Sequence, residues 1–285
     1  MNRSPATLGG GKRAAPAGAG VCDRRAFLQG VGAVGAAAWL GVDLWAAEQA
    51  ADVMAPATTA RGILSLRLRA PDLPAQARFY GEVMGFPIDS ATDRLVVQAG
   101  GTELHFAPAA DVERPIYHVA WGIPANLLPA AKAWLAARTP LLVHPDGRDE
   151  FHFRSVRRRA VYFSDPAGNV LELIARELLD DRQEGPFALR HILYVNHAGL
   201  VVDDLPGAIR DLEQELGLAL RADPTPNFAQ LGDEHRHLVL VTRERLWLPE
   251  LTVPAGVFAT QIVLQGAPDR MLELAGYPYR VSIEG

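Results

Sequence analysis

The 285-residue chain has one cysteine, Cys22, close to its start. The rest of the sequence therefore has no disulfide, no thiolate metal ligand and no cysteine nucleophile. A core of this size folds without a covalent staple, so the lack of cysteine is compatible with an oxidising destination. Positive charge is not in excess either. The net charge is −5, which gives no electrostatic footprint for nucleic acid. The one basic run, Arg157-Arg158-Arg159, reads as a solvated strand end. Several catalytic signatures are also missing: Gly-x-Ser-x-Gly, His-Glu-x-x-His, and a glycine-rich phosphate loop ending in lysine. No apolar run is long enough to span a bilayer comfortably. The best, residues 30–42, is short and rich in glycine and alanine.

What is present is an ordinary globular mixture, 49% hydrophobic and 21% charged. The length suits one large domain or two small ones. Residues 1–22 are rich in Gly, Ala and Pro without apolar period, which predicts disorder. Then Arg24-Arg25-Ala26-Phe27-Leu28 precedes the weakly apolar stretch, and Ala55-Pro56-Ala57 offers small residues for cleavage. This resembles a bacterial twin-arginine signal over residues 1–57. It implies passage through the twin-arginine export machinery and a periplasmic or secreted mature chain. That pathway carries folded proteins, which raises the expectation of a bound metal.

A repeat organises the remainder. The segment from Asp72 to Phe86, with Leu73, Pro74, Arg78 and Gly85, recurs without a gap from Asp204 to Leu218, with Leu205, Pro206, Arg210 and Gly217. Each copy follows an alternating segment, Leu64/Leu66/Leu68 or Ala198/Leu200/Val202, that reads as a strand. Asp before Pro starts a helix, because the carboxylate caps orphan amides and proline tolerates the first turn. Gly85 and Gly217 end the helices, since glycine accepts a left-handed residue. Strands follow at 95–99 and 103–107, and at 227–231 and 238–242. Each unit is thus βαβββ. A second pair of units follows the first kind. One has a strand at 116–123, a helix at 126–138 and a hairpin of 160–164 with 170–175. The other has a strand at 260–265, a short helix near 270–275 and a last strand at 279–284, with its final hairpin missing. The fold class is α+β. The expected domains are 62–177 and 191–285, separated by a charged linker at 178–190.

Paired βαβββ modules resemble the vicinal oxygen chelate superfamily of glyoxalases, bleomycin-resistance proteins and extradiol dioxygenases. The most specific element is Tyr162-Phe163-Ser164-Asp165-Pro166-Ala167-Gly168-Asn169-Val170-Leu171-Glu172. The resemblance implies curled sheets whose inner faces carry His or Glu on the first and last strands of each module. These would hold a divalent metal (Fe, Mn, Ni or Zn) with positions open for substrate oxygens. On that pattern His118 and Glu172 are ligands, separated by about 3–5 Å if they share an ion, with Glu103 or His105 completing the set. The first strand departs from the pattern, because Ser65 or Ile63 stands where His or Gln is usual. Arg67 shares that face and, with Ser65, is a candidate for binding substrate. In the second half His197 fills the first-strand position, His237 is a further candidate for its cup and Gln261 corresponds to His118. The expected function is a metal-dependent lyase, isomerase or ring-cleaving dioxygenase acting on a small substrate with two vicinal oxygens. The alternative is a metal-free protein that sequesters a small molecule.

Overall fold

The computed structural model describes residues 62–110 and 112–285. The twin-arginine and cleavage segments lie outside the described residues. No described helix is long and apolar enough to cross a membrane.

Four modules follow one another. The first has β1 (Ile63–Ala70), α1 (Leu73–Ala77) continued as a π-helix over Arg78–Val83, then β2 (Ile88–Ser90), β3 (Leu95–Ala99) and β4 (Thr102–Pro108). The second has β5 (His118–Ile123), α2 (Leu128–Ala136), β6 (Phe151–Phe153), β7 (Arg158–Ser164) and β8 (Val170–Arg176). The third has β9 (Tyr194–Val201), α3 (Leu205–Leu216), β10 (Phe228–Gly232) and β11 (His237–Val241). The fourth is β12 (Thr260–Gln265), β13 (Arg270–Glu273) and β14 (Tyr279–Glu284). Both repeated helix starts form as the residue types require. Asp72 Oδ1 accepts the Ala75 amide at 2.8 Å, and Asp204 Oδ1 accepts that of Gly207 at 2.9 Å. Gly85 and Gly217 have φ of +84° and +68°, the left-handed conformation that ends a helix. The helix expected near 270–275 is instead a strand. Met271 and Leu272 pair with Ser282 and Val281 in a hairpin, and four residues are too few for a stable helical turn without caps.

In all four modules the last strand pairs in parallel with the first: β4 with β1, β8 with β5, β11 with β9 and β14 with β12. The other edge of each first strand is left open and must be paired. The first module does not pair with the second, nor the third with the fourth. β5 pairs antiparallel with β9, and β1 pairs antiparallel with β12. One curled half is therefore built from the two central modules, the other from the two outer ones. The expected partnership of the first module with the second, within 62–177, and of the third with the fourth, within 191–285, is not the one formed. The repeat makes modules visible, but their first strands offer equivalent backbone edges, so partner choice leaves no mark on the pattern. A single pair, Ile63 with Val195, joins the halves into one sheet.

The sheet backs and the helices share one core, in which Leu66, Leu104, Trp121, Leu171, Leu200 and Ile262 are buried among others. Asp165 ties the first module to the second within it. This carboxylate accepts from Gln76 Nε2 (2.9 Å), the Tyr80 hydroxyl (3.0 Å) and Asn169 Nδ2 (2.7 Å).

Candidate metal centre

Strand parity puts the site inside the central half. On β5, Val119 and Trp121 face the shared core, so His118 and Ala120 point the other way. Ala120 pairs with Glu172 on β8 and with His197 on β9. Its methyl group leaves room between three larger side chains. They converge there. His118 Nε2 lies 3.2 Å from His197 Nε2, and Glu172 Oε2 lies 3.5 Å from the first and 3.6 Å from the second. All three residues are buried.

The hydrogen bonds behind the triad fix what its atoms can do. His118 Nδ1–H donates to the Val170 carbonyl at 3.1 Å, and His197 Nδ1–H donates to Asn196 Oδ1 at 3.2 Å. Asn196 cannot be turned round, because its Nδ2 donates to the Glu234 and His235 carbonyls. Both neutral rings therefore present a bare Nε2 lone pair, and the two lone pairs face each other beside a carboxylate. Such an arrangement repels itself unless a cation lies between. Burial, then the neighbouring His197, lowers His118 to about 4. Burial also holds His197 well below its usual range. The rings stay neutral and ligand-competent near pH 7. Burial raises Glu172, opposed by His118, Arg158 and Tyr162. Bonds of about 2.1 Å to one shared ion keep donor atoms about 3–3.6 Å apart, so this donor set fits a divalent metal.

The supporting shell was not legible as such in the sequence. Arg176 Nε donates to Asn196 Oδ1 at 3.1 Å, and Arg176 also pairs with Glu234, which in turn holds Arg221 at 2.6 Å. His237 shares the cup with His197, ring to ring at 4.5 Å, but its Nε2 accepts from Arg176 at 3.3 Å. It is not a member of the triad. Arg158 is buried at 3% exposure, whereas its neighbours Arg157 and Arg159 have side chains 61% and 30% exposed. The basic run is thus a solvated strand end at its flanks only. Strand alternation turns its middle member inward.

Beside the triad is a cavity with about 410 Å³ of atom-free space, its mouth included. Arg158, Tyr162, Phe228, Gln230 and Val239 line it, and Arg245 to Leu248 close it from above. Trp247 lies 5.1 Å, ring to ring, from His118. It reaches there over Gly199, where a Cβ would stand 2.6 Å from the indole and 3.2 Å from His118 Cβ. Val239, the partner of Gly199, occupies the place on β11 that Glu172 occupies on β8. The centre therefore has three donors and not four.

The other expected residues lie in the outer half. Ser65 and Arg67 on β1 pair with Glu103 and His105 on β4, and Gln261 on β12 stands beside Arg67. Glu103 and His105 bond each other at 3.1 Å, with side chains 53% and 24% exposed. Neither completes the triangle; His197 does.

No protein-family model matches the sequence, and no curated protein sequence matches it. Solved structures do. A candidate dioxygenase from Bacillus subtilis shares 17% identity, covering 80% of this chain and 86% of its own, with a TM-score of 0.53. Glyoxalase I from Zea mays shares 17% identity over 78% of this chain and 92% of its own, with a TM-score of 0.45. A glyoxalase/bleomycin resistance protein/dioxygenase from Alicyclobacillus acidocaldarius is 16% identical and covers 40% of this chain and 91% of its own, with a TM-score of 0.34. At such identities the likeness speaks to the fold alone. With the strand order above, the likeness to the Bacillus subtilis structure shows an α+β fold of paired, repeated modules forming a curled mixed sheet.

Proposed function

We propose that the protein is a metal-dependent enzyme of the glyoxalase–dioxygenase kind, acting on a small substrate with two vicinal oxygens. The observation that carries this reading is the pair of bare imidazole lone pairs meeting a buried carboxylate. His118, His197 and Glu172 would hold the ion. Two histidines and one carboxylate with open positions suit Fe(II), or Mn(II) in its place, and the same donor set also serves catalytic Zn(II). When bound, the ion supplies Lewis acidity toward two adjacent substrate oxygens.

The chain's own groups supply the rest. Asn196 and the Val170 carbonyl hold the protons of the two rings on Nδ1 and aim Nε2 inward. The Trp247 indole N–H has no acceptor among the described residues and can donate to a substrate oxygen. Trp247, Leu246 and Leu248 keep bulk water out. Export in folded form through the twin-arginine route belongs to the same proposal, supported by Arg24-Arg25 ahead of Phe27-Leu28.

The test is metal analysis of the full chain purified without chelator. One equivalent in the wild type, and none in His118→Ala or His197→Ala, supports the proposal. A wild type that takes up no metal, even on reconstitution, overturns it in favour of the sequestering reading.

A further inference from the structure

The cavity beside the triad has a polar group on its wall that the metal centre does not use. On β10, Ala229 and Leu231 belong to the shared core, so Gln230 between them faces the cup. It lines the cavity and is 7% exposed. Its backbone carbonyl accepts the Arg221 amide at 3.0 Å, but its carboxamide makes no hydrogen bond among the described residues. Two matching rows of the sheet explain why. Tyr162 stands beside Glu172, which stands beside Ala120. At the other end of the central half Gln230 stands beside Val239, which stands beside Gly199. The tyrosine hydroxyl has a carboxylate for a neighbour. The carboxamide has an isopropyl group and then no side chain at all. A buried amide without partners is costly, and a Leu or Met fills the same space without that cost.

A carboxamide presents an N–H donor and a carbonyl acceptor side by side. A second amide satisfies both through two parallel hydrogen bonds. A hydroxyl meets one of them at a time, and a ketone or carboxylate brings no donor for the carbonyl. Gln230 stands two strand spacings from β9, roughly 10 Å along the sheet, so the group it meets lies across the body of a ligand from the atoms held at the triad. Val239, Val241 and the Trp247 ring line the same cavity and suit a flat apolar body. We propose that the substrate carries a neutral carboxamide or lactam on the side away from its vicinal oxygens, and that Gln230 receives it. This rests on the metal reading above and names the substrate class of that site. The rival role for Gln230 is a side chain wetted by cavity water, which predicts no preference for a ligand that brings a donor.

The experiment uses the full chain loaded with Zn(II), which is redox-inert, and two neutral probes of one shape. These are 3,4-dihydroxybenzamide and 3,4-dihydroxyacetophenone, in which a methyl group replaces the amide nitrogen. Binding is followed by titration calorimetry, and zinc content is measured on the same samples. The expected result is about tenfold tighter binding of the amide, the worth of one buried hydrogen bond. In Gln230→Met the ratio falls to near one with zinc unchanged, while Met271→Ala, exposed on the outer half, keeps it. Equal or reversed binding of the two probes by the wild type overturns the proposal, as does failure of the amide to bind. A preference that survives Gln230→Met also overturns it. If that variant does not fold, Gln230→Glu replaces it. The shape is kept and the amide donors are gone, so the ketone weakens and the ratio rises; a ratio that does not rise overturns the assignment. A chain that takes up no zinc overturns the metal reading, and this assignment with it. A chain that takes up zinc and binds both probes equally overturns this assignment alone.

Discussion

The two halves have the same strand plan and opposite inner faces. In the central half, β5, β8, β9 and β11 are buried at every position. Their inner faces carry the triad, and the segment around Trp247 closes over them. In the outer half β1 alternates, with Leu66, Leu68 and Ala70 buried and Arg67 and Arg69 exposed. Glu103, Gln261 and Met271 are exposed on its other strands. One half is a closed container and the other an open sheet surface. A strand wetted on one face alternates, whereas a strand buried on both reads as a continuous apolar run. A histidine or glutamate inside such a run, as in His-Val-Ala-Trp-Gly-Ile or Val-Leu-Glu-Leu-Ile, has nowhere to go but the site.

The contrast breaks most sharply on metal. Removing His118, His197 or Glu172 should take metal content from one equivalent to none, read by elemental analysis. His105→Ala and Glu103→Gln should leave it unchanged. Loss of metal on changing either outer residue would mean the open half takes part.

Next in size is the tie between the halves. Asp165→Ala leaves Gln76, Tyr80 and Asn169 with buried donors and no acceptor, and should lower stability to urea by about 3 kcal/mol. A change below roughly 0.5 kcal/mol would show the tie to be slack.

The metal-free protein should also lose stability below pH 6.5. Unfolded histidine protonates there, while His118 in the fold resists down to about 4. In this window the unfolded state binds more protons, so stability falls as pH falls, by about 1.4 kcal/mol per pH unit for one such group. His118→Gln should flatten the slope. Equal slopes in wild type and His118→Gln would contradict the burial of the ring.

Gly199→Ala should displace Trp247 at a cost of about 1–3 kcal/mol, with metal retained and indole fluorescence shifted. The smallest effect belongs to the outer surface: His105→Ala should change stability by less than about 0.5 kcal/mol.

Much of this was legible in the sequence. Asp72 and Asp204 announced their helices, and Gly85 and Gly217 their ends, because capping and left-handed turns are local. Parity on β5 and β8 placed His118 and Glu172 on one inner face. The third donor was misplaced because the choice between β4 and β9 depends on which module edges meet, and that is a non-local matter. His197 itself was visible as a histidine in an apolar strand. Arg158, Asn196 and Gly199 were not, since each acts through a neighbour brought across the sheet. A local signal did exist for Asn196: an amide beside a histidine within a strand buried throughout needs a polar partner.

The partnership of the outer modules has a kinetic consequence. The central container is assembled from one continuous stretch of chain, whereas the open half joins β1, near residue 63, to β12, near residue 264. Pairings between segments so distant in sequence form slowly, so closure of β1 on β12 is the expected last event of folding. During synthesis the first module emerges early and waits, with one edge of β1 unpaired, until nearly the whole chain has been made. An unpaired edge is also what aggregates. The alternating arginines of β1, Arg67 and Arg69, are then the charges that keep the waiting strand from sticking to others. The same closure leaves β1, which opens the described region, one strand away from β14, which ends it, so linking these strands and opening the chain elsewhere should leave the container intact.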